Sequence, residues 1–407
     1  MYENLAIFTA FIFFYSIASG RLERTPFNGA IVFTTFGLAF GPLGLGYLEL
    51  DLDAELLRTL AELTLALVLF TDASNANLAV LKRNIRFPRR LLLVGLPLTI
   101  ILGFGIGVLL FDTLTIFEIA ILATMLAPTD AALGKAVVTN ESVPENMRES
   151  LNIESGLNDG ICVPILFVFL ALATGSGGDQ GAHTLALELV AEEIGIGAMV
   201  GIVLAASGVW LIKQCYNRGW ITETWRQLPV VVLAVTCFAA AQSLGGSGFI
   251  AAFVGGLLFG GLAKKHKHTF LLAAEGTGDT MALITWVIFG AVVVGHSIDS
   301  LSWEIVLYAV LSLTVIRMLP VFLCLVGLNL RTDEKLFMGW FGPRGLASIV
   351  FGVIVLNDKL PGGDIITMTV VSTVILSIIG HGLSANFLVG RLAARLKSSE
   401  GSTVSQK

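Results

Sequence analysis

Apolar runs, separated by short polar or turn-forming stretches, recur along the whole 407-residue chain. Their length sets the architecture. A helix needs about 20 apolar residues to cross the hydrocarbon core, whereas a barrel strand needs about 10 with strict alternation. The runs are of the first kind and predict an all-α polytopic membrane protein. Splitting at polar and turn residues gives about thirteen candidate spans, approximately 4–20, 27–48, 55–81, 91–111, 115–138, 147–174, 185–214, 224–243, 247–263, 269–296, 303–329, 334–357 and 364–394. They read as one transmembrane domain over residues 1–400, with a short cytoplasmic tail over 398–407.

Composition narrows the class. The chain is 55% hydrophobic and 14% charged, against roughly 25% charged in a soluble domain. No water-soluble core hides that much apolar surface, which excludes a soluble enzyme, a nucleic-acid-binding protein and a disordered chain. Cys162, Cys215, Cys237 and Cys324 show no pairing or metal spacing, and no Cys/His cluster points to a transition metal or other cofactor. Met1-Tyr2-Glu3-Asn4 lacks a basic leader segment, so the first run is expected to stay as a helix.

Charge placement gives orientation. Of the 25 Lys and Arg residues, 21 fall on one set of alternate loops, Arg58 and Lys359 on the other, and Arg317 and Arg344 inside spans. Positive loops face the cytoplasm. The C-terminus is therefore expected inside and the N-terminus outside, with the acidic clusters Glu49-Asp51-Asp53-Glu55 and Glu188-Glu192-Glu193 at the outer face. An odd span count with the seventh as linker yields two six-helix halves of inverted topology, a frequent transporter plan.

Two spans carry matching interruptions. The fifth contains Leu126-Ala127-Pro128-Thr129-Asp130, and the twelfth contains Phe341-Gly342-Pro343-Arg344-Gly345. Proline removes a backbone donor, and such a break survives in a membrane only where protein or a wet cavity satisfies the freed groups. The sixth span reads Asn152-Ile153-Glu154-Ser155-Gly156-Leu157-Asn158-Asp159-Gly160, with Glu154 and Asn158 on one helical face, and Ser155 and Asp159 likewise four apart. A charge at a helix centre costs about 2.5–3.5 kcal/mol on insertion scales, so function or a partner must hold it there. If Asp130, Glu154 and Asp159 meet Arg317 and Arg344, one negative charge is left over. A proton or one monovalent cation could neutralise it, and their competition is an exchange mechanism. Thr129, Ser155 and freed carbonyls supply the neutral oxygens that suit hard cations.

These residues resemble the cation:proton antiporter superfamily over nearly the whole chain. Glu154-Ser155-Gly156-Leu157-Asn158-Asp159 resembles its sixth-helix motif, and the Asn-Asp pair is similar to that of the electroneutral, NhaP-type sodium/proton branch. Ala127-Pro128-Thr129-Asp130 resembles the broken fifth helix, Gly246-Ser247-Gly248-Phe249-Ile250-Ala251 with Gly255-Gly256-Leu257 the glycine-rich ninth, and Gly342-Pro343-Arg344-Gly345 the break of the twelfth. Relatives often place proline directly after the fifth-helix acid, where this chain has Ala131.

The resemblance implies roles. Asp159 would bind cation and proton in turn, with Asp130, Thr129 and Ser155 completing a Na+ site. Glu154 would pair with Arg317 and hold Asn158 without titrating. Arg344 would offset the partial charges of the broken helices, together with Asp130. Asp72, in Phe70-Thr71-Asp72-Ala73, is the candidate for a further acid of the third helix. It also implies an elevator in a homodimer of the microbial cell membrane, where a core (about 91–174 and 303–394) slides against a dimerisation scaffold (about 1–81 and 185–296). The transported ions would be Na+, with Li+ or K+ as alternatives, and H+. A K+/H+ antiporter of the same fold and a gated cation channel are the rival readings. An intramembrane hydrolase would need a nucleophile–base pair, and Ser155 has no Lys within its span. Long regulatory tails are not expected.

Three further features have a bland reading and a functional one. Glu275 and Asp279, four apart, form either a solvated helix end or an acidic funnel for cations. His381 is either a hydrogen-bonded core residue or a proton relay. His266 and His268, among Lys264, Lys265 and Lys267, are either part of a positive-inside anchor or sensors of pH.

Overall fold

In the computed structural model, residues 2–22, 25, 28–48, 54–76, 86–130, 133–174, 180–263, 267–294 and 301–404 are described, and all their regular secondary structure is helical. In chain order the helices are α1 (Tyr2–Leu22), α2 (Gly29–Phe40), α3 (Ala54–Asn75), α4 (Arg86–Leu110, with a π turn at Leu91–Gly95), α5 (Ile116–Met125), α6 (Lys135–Val138), α7 (Glu145–Thr174), α8 (Gln180–Asn217) and α9 (Leu228–Ser243). They continue as α10 (Gly248–Leu262), α11 (Lys267–Ile288, running into a π turn at Phe289–Val293), α12 (Trp303–Leu313), α13 (Val315–Cys324), α14 (Thr332–Trp340), α15 (Leu346–Asn357) and α16 (Gly363–Val404). The expected charges Arg24, Lys82, Arg83, Lys264, Lys265, Lys407, Glu49, Asp51 and Asp53, and the residues His266 and Ala131, lie outside the described residues.

Among the described residues, seven helical segments are long and apolar enough to cross a membrane: Tyr2–Leu22, Arg86–Leu110, Glu145–Thr174, Leu187–Asn217, Trp225–Ser243, Trp303–Cys324 and Gly363–Arg395. Shorter apolar helices run over Gly29–Phe40, Ile116–Met125, Gly248–Leu262 and Leu346–Leu356. The other expected spans fall short for physical reasons. Arg58, Glu62 and Asp72 charge α3, and Glu275 and Asp279 charge α11. The fifth span is not continuous, because α5 ends at Met125, well before Asp130. The twelfth is split into α14 and α15 around Phe341–Gly345.

Each interrupted element is fastened at its ends. α5 opens on a capping box, in which Thr115 and Glu118 exchange side-chain and backbone bonds. The Glu118 carboxylate is fully buried yet satisfied. Oε2 accepts from Thr115 N–H at 2.8 Å and from its hydroxyl at 2.9 Å, and Oε1 accepts from Gly362 N–H at 2.6 Å. The loop between α15 and α16 is thereby tied to the start of α5.

Helices α3, α8, α9, α10 and α11 pack against one another, and α4, α5, α7, α12, α13, α15 and α16 do the same. α7 touches α3, α8 and α10 across the join, and α15 touches α3. α10 lies close on α3 because it presents glycine there. A Cβ on Gly256 would stand 2.3 Å from Phe70 O, and one on Gly260 would stand 2.2 Å from Ser74 O. The Ser74 hydroxyl in turn donates to Gly256 O at 3.0 Å. The Gly256-to-Gly260 stripe therefore serves packing within the chain.

Gly256→Ala should cost about 1–3 kcal/mol, since backbone atoms of α3 must give way. Gly261, with nothing near its missing Cβ, should accept Ala without effect. Thermal unfolding of the detergent-purified protein compares the two, and equal melting temperatures would refute the close-packing account.

Candidate functional site

The two interrupted segments cross, and their freed backbone groups pair with each other. Asp130 N–H donates to Pro343 O at 2.8 Å, and Leu346 N–H, at the start of α15, donates to Asp130 Oδ2 at 2.9 Å. The Asp130 carboxylate is thus held by a helix N-terminus, where the dipole favours negative charge. Gly345 is what lets it approach, for a Cβ there would lie 2.0 Å from Asp130 Oδ2. On the other side, Arg344 Nη1 donates to Ala127 O at 3.0 Å and Pro128 O at 3.1 Å, with a longer bond to Gly342 O at 3.4 Å. The Ser348 hydroxyl takes Met125 O at 2.8 Å.

Arg344 and Asp130 meet the ends of the broken helices from opposite sides: the guanidinium bonds to carbonyl oxygens, while backbone N–H groups hold the acid. The reason is geometric: the carbonyls past α5 lie at a helix C-terminus and attract the cation, and the N-terminus of α15 attracts the anion.

α7 supplies the side chains that face this crossing. Glu154, Ser155, Asn158 and Asp159 are all buried on it. The Ser155 hydroxyl donates to Thr129 O, and Asn158 Nδ2 donates to Thr129 Oγ1 at 2.8 Å. The Glu154 carboxylate meets the Arg317 guanidinium of α13 in a two-pronged ion pair, Nη1 to Oε1 at 2.6 Å and Nη2 to Oε2 at 2.8 Å. Both side chains are 1% exposed. Gly342 makes room for Arg317, whose Nε would lie 2.3 Å from a Cβ at that position.

Two oxygens on α7 stand apart from this pairing. Asp159 Oδ1 and Asn158 Oδ1 are buried and receive no hydrogen bond from the described residues. Both are acceptors with nothing donating to them. Asp130 and Asp72 act electrostatically on the Asp159 carboxyl, and Asp130, Asp279 and Glu275 act on that of Asp72. The backbone of α3 at Asp72 passes α7 at Gly156, where a Cβ would lie 3.3 Å from Asp72 O. All nine residues singled out in the sequence therefore gather around one point: Asp130 and Thr129 at one break, Arg344 at the other, Glu154, Ser155, Asn158 and Asp159 on α7, Arg317 on α13 and Asp72 on α3. Glu275 belongs to the same side of α3, for Asn75 Nδ2 donates to its Oε1.

Sequence reasoning missed Ser348, Ser377, Glu118 and Phe253. The serines are single small polar residues in apolar helices, and their partners are backbone groups that leave no mark in a sequence. Phe253 of α10 lies directly on α7 beside Asp159, so closely that a Cβ on Gly160 would fall 2.2 Å from its ring. Beyond it, the rings of Phe167 and Phe249 stack at 6.4 Å beneath a cavity of about 470 Å³ lined by Arg58, Glu62, Glu193 and Asp358. Arg58 binds Glu62 at 2.6 Å. In the loop after α15, burial pushes the Asp358 carboxyl up from its usual range, and Arg58 works against that shift.

Residues 7–391 match the family model of the transmembrane sodium/hydrogen exchangers. The chain is 23% identical over 362 residues to a K+/H+ antiporter, NhaP2, of Shewanella oneidensis, covering 87% of this chain and 61% of that one. It is 24% identical over 432 residues to a Na+/H+ antiporter of Schizosaccharomyces pombe, covering 97% and 92%. The fold is similar to that of the sodium proton antiporter MjNhaP1 from Methanocaldococcus jannaschii at pH 8, with a TM-score of 0.74 at 19% identity, covering 96% of this chain and 98% of that one. The chain thus spans about three fifths of the length of the NhaP2 relatives.

Removing one member of the Glu154–Arg317 pair strands a buried charge, at a cost of about 3–5 kcal/mol. Glu154→Gln and Arg317→Leu should each lose that stability, and Glu154→Leu combined with Arg317→Leu should recover most of it. Chemical or thermal unfolding of the purified variants measures this; additive losses in the double variant would show that the two side chains act separately.

Proposed function

The chain belongs to the sodium/hydrogen exchanger family, with the NhaP-type antiporters among its relatives, and from that premise we propose that it exchanges one monovalent cation for one proton at Asp159. The family is one of transporters, and the protein is an integral, multi-pass membrane protein. The observation that carries the proposal is the pair of buried, undonated oxygens, Asp159 Oδ1 and Asn158 Oδ1, beside a crossing whose other carboxylates, Glu154 and Asp130, are already held. A hard cation needs such oxygens. In this reading Thr129 and Ser155, hydrogen-bonded to each other, and Asp130 complete the shell as the ion loads.

The stoichiometry follows from the charges. Glu154 is offset by Arg317, and Asp130 by the α15 N-terminus with Arg344 on the facing carbonyls. Asp159 then carries the exchangeable negative charge, and it can take a proton or a monovalent cation but not both. One-for-one exchange moves no net charge. Asp72, Asp279 and Glu275 supply a negative approach that draws cations inward. In this reading α4–α7 and α12–α16 form a mobile core that slides against α1–α3 and α8–α11, in a homodimer with the N-terminus outside and the C-terminus in the cytoplasm.

Na+ is the proposed substrate, with Li+ as a second. Among the curated relatives K+/H+ antiporters stand beside Na+/H+ antiporters, which keeps K+ as the specific alternative. The donor set is all oxygen and serves either ion, so cavity size decides.

The direct test is proton flux in sealed proteoliposomes holding a pH dye, with Na+, Li+ and K+ added in turn at clamped zero voltage. Sodium- or lithium-driven, voltage-independent proton movement is expected; a current reversing away from the one-for-one value would overturn electroneutral exchange. Asp159→Asn should abolish flux while the protein still inserts and purifies. A second expectation concerns pH. Protons and cations share one carboxylate, so the cation concentration for half-maximal exchange should rise as pH falls. A value flat between about pH 5 and 8 would mean separate sites.

A further inference from the structure

The break between α14 and α15 leaves backbone groups exposed that the crossing with Asp130 does not reach. A helix that stops within a hydrocarbon layer has no water to take its last C=O and the next N–H groups. Pro343 O and Leu346 N–H are taken by Asp130. Trp340 O and Arg344 N–H, on either side of the break, face α16 instead. Arg344 N–H donates to Ser377 Oγ at 2.7 Å. His381, one turn further along α16, sets Nε2 at 2.8 Å from Trp340 O and Nδ1 at 3.3 Å from Ser377 Oγ. Ser377 is fully buried and His381 is 2% exposed.

In the Nε2–H tautomer of His381 the donors run in one direction through this chain. Ser377 Oγ accepts from Arg344, which leaves its own proton for His381 Nδ1. Thr369 and Thr373 on the same helix return their hydroxyls to carbonyls four residues back, at 2.7 Å each, whereas Ser377 turns toward the break. With Nδ1 accepting, the ring N–H sits on Nε2 and is given to Trp340 O. Ser377 O also lies 2.9 Å from Nδ1. Trp340 O, at a helix end, accepts Gly342 N–H at 2.8 Å and has a second lone pair for the ring, and it is this contact that reaches across to the break. The Trp340 indole stacks on the imidazole with centroids 5.0 Å apart and donates Nε1–H to Ser384 Oγ at 2.9 Å.

We propose that Ser377 and His381 are positioning residues for the ion site: together they bridge the break in the twelfth segment and fix where Arg344 and the α15 N-terminus stand. Neither touches the ion. They act because the Arg344 backbone, anchored through Ser377, carries the guanidinium that holds Ala127 O and Pro128 O, and lies two residues before the N–H that holds Asp130. Its transport consequence rests on the antiporter reading, so the test includes a readout that does not.

Hydrogen–deuterium exchange of the detergent-purified full chain reports on the Arg344 amide. His381→Ala should speed its exchange about tenfold, the cost of loosening one buried hydrogen bond, although Ser377, its own acceptor, is untouched. Ser377→Ala should do at least as much, and the double variant no more than Ser377→Ala. In proteoliposomes each variant should raise the cation concentration for half-maximal exchange about fivefold with the maximal rate within about twofold. Trp340→Phe keeps the carbonyl and loses the Ser384 bond, so it should lower the melting temperature without either effect. An Arg344 amide unchanged in His381→Ala overturns the bridge. Half-maximal cation concentrations unchanged while melting temperatures fall reduce both residues to stability alone and overturn the proposal. If the wild-type protein moves no cation against protons while the amide behaves as expected, the exchange reading fails and the bridge across the break stands.

Discussion

A backbone interrupted within a hydrocarbon layer must find a partner for every N–H and C=O it frees, because no water is there to take them. The centre of this protein is organised around that constraint. Met125 O, Ala127 O, Pro128 O and Thr129 O are taken by side chains of Ser348, Arg344 and Ser155, and Asp130 N–H by Pro343 O. Leu346 N–H and Arg344 N–H on the opposite segment are taken by Asp130 and Ser377. Each break supplies groups that the other lacks. Neither segment could hold its extended stretch alone, so the crossing is one unit whose parts share their stability.

Charge follows the backbone in this arrangement. The carbonyl-rich end after α5 attracts Arg344, and the N–H-rich start of α15 attracts Asp130. Glu154 and Arg317 are removed from play by a two-pronged pair in which both members are almost wholly buried. Such a pair adds little net stability over apolar packing, but it is costly to break. In the proposed exchange it stays fixed while Asp159 changes protonation. What is left is the Asp159 carboxyl, with an acceptor oxygen that no described residue satisfies. In the proposed exchange Asp159 is the reactive group because its neighbours Glu154 and Asp130 are already held.

The surface on which α7 meets its neighbours is built differently. Gly156 and Gly160 bring its backbone against Asp72 O and the Phe253 ring. Small residues and one aromatic plate make this contact close. The polar network of the crossing has a different character, with many directional bonds.

The apolar runs determined that the chain is helical and belongs in a membrane, because length against bilayer thickness is a one-dimensional property. The two Pro-and-charge interruptions and the Glu154-to-Asp159 stripe were legible for a similar reason: residues that cost energy in hydrocarbon stand out from their neighbours. Thirteen spans were harder to read than seven, since shortened and charged helices such as α2, α3 and α11 look alike whether they cross or only support. Arg344 could be recognised as a site residue, but not assigned its carbonyl partners, and His381 could be recognised as buried, but not assigned its place at Trp340 O. Those partners are backbone atoms, identical in every residue, and no sequence position announces which of them a fold leaves unpaired. Only the crossing of two segments about 215 residues apart, with its close approach at Gly345, decided which donors and acceptors would meet.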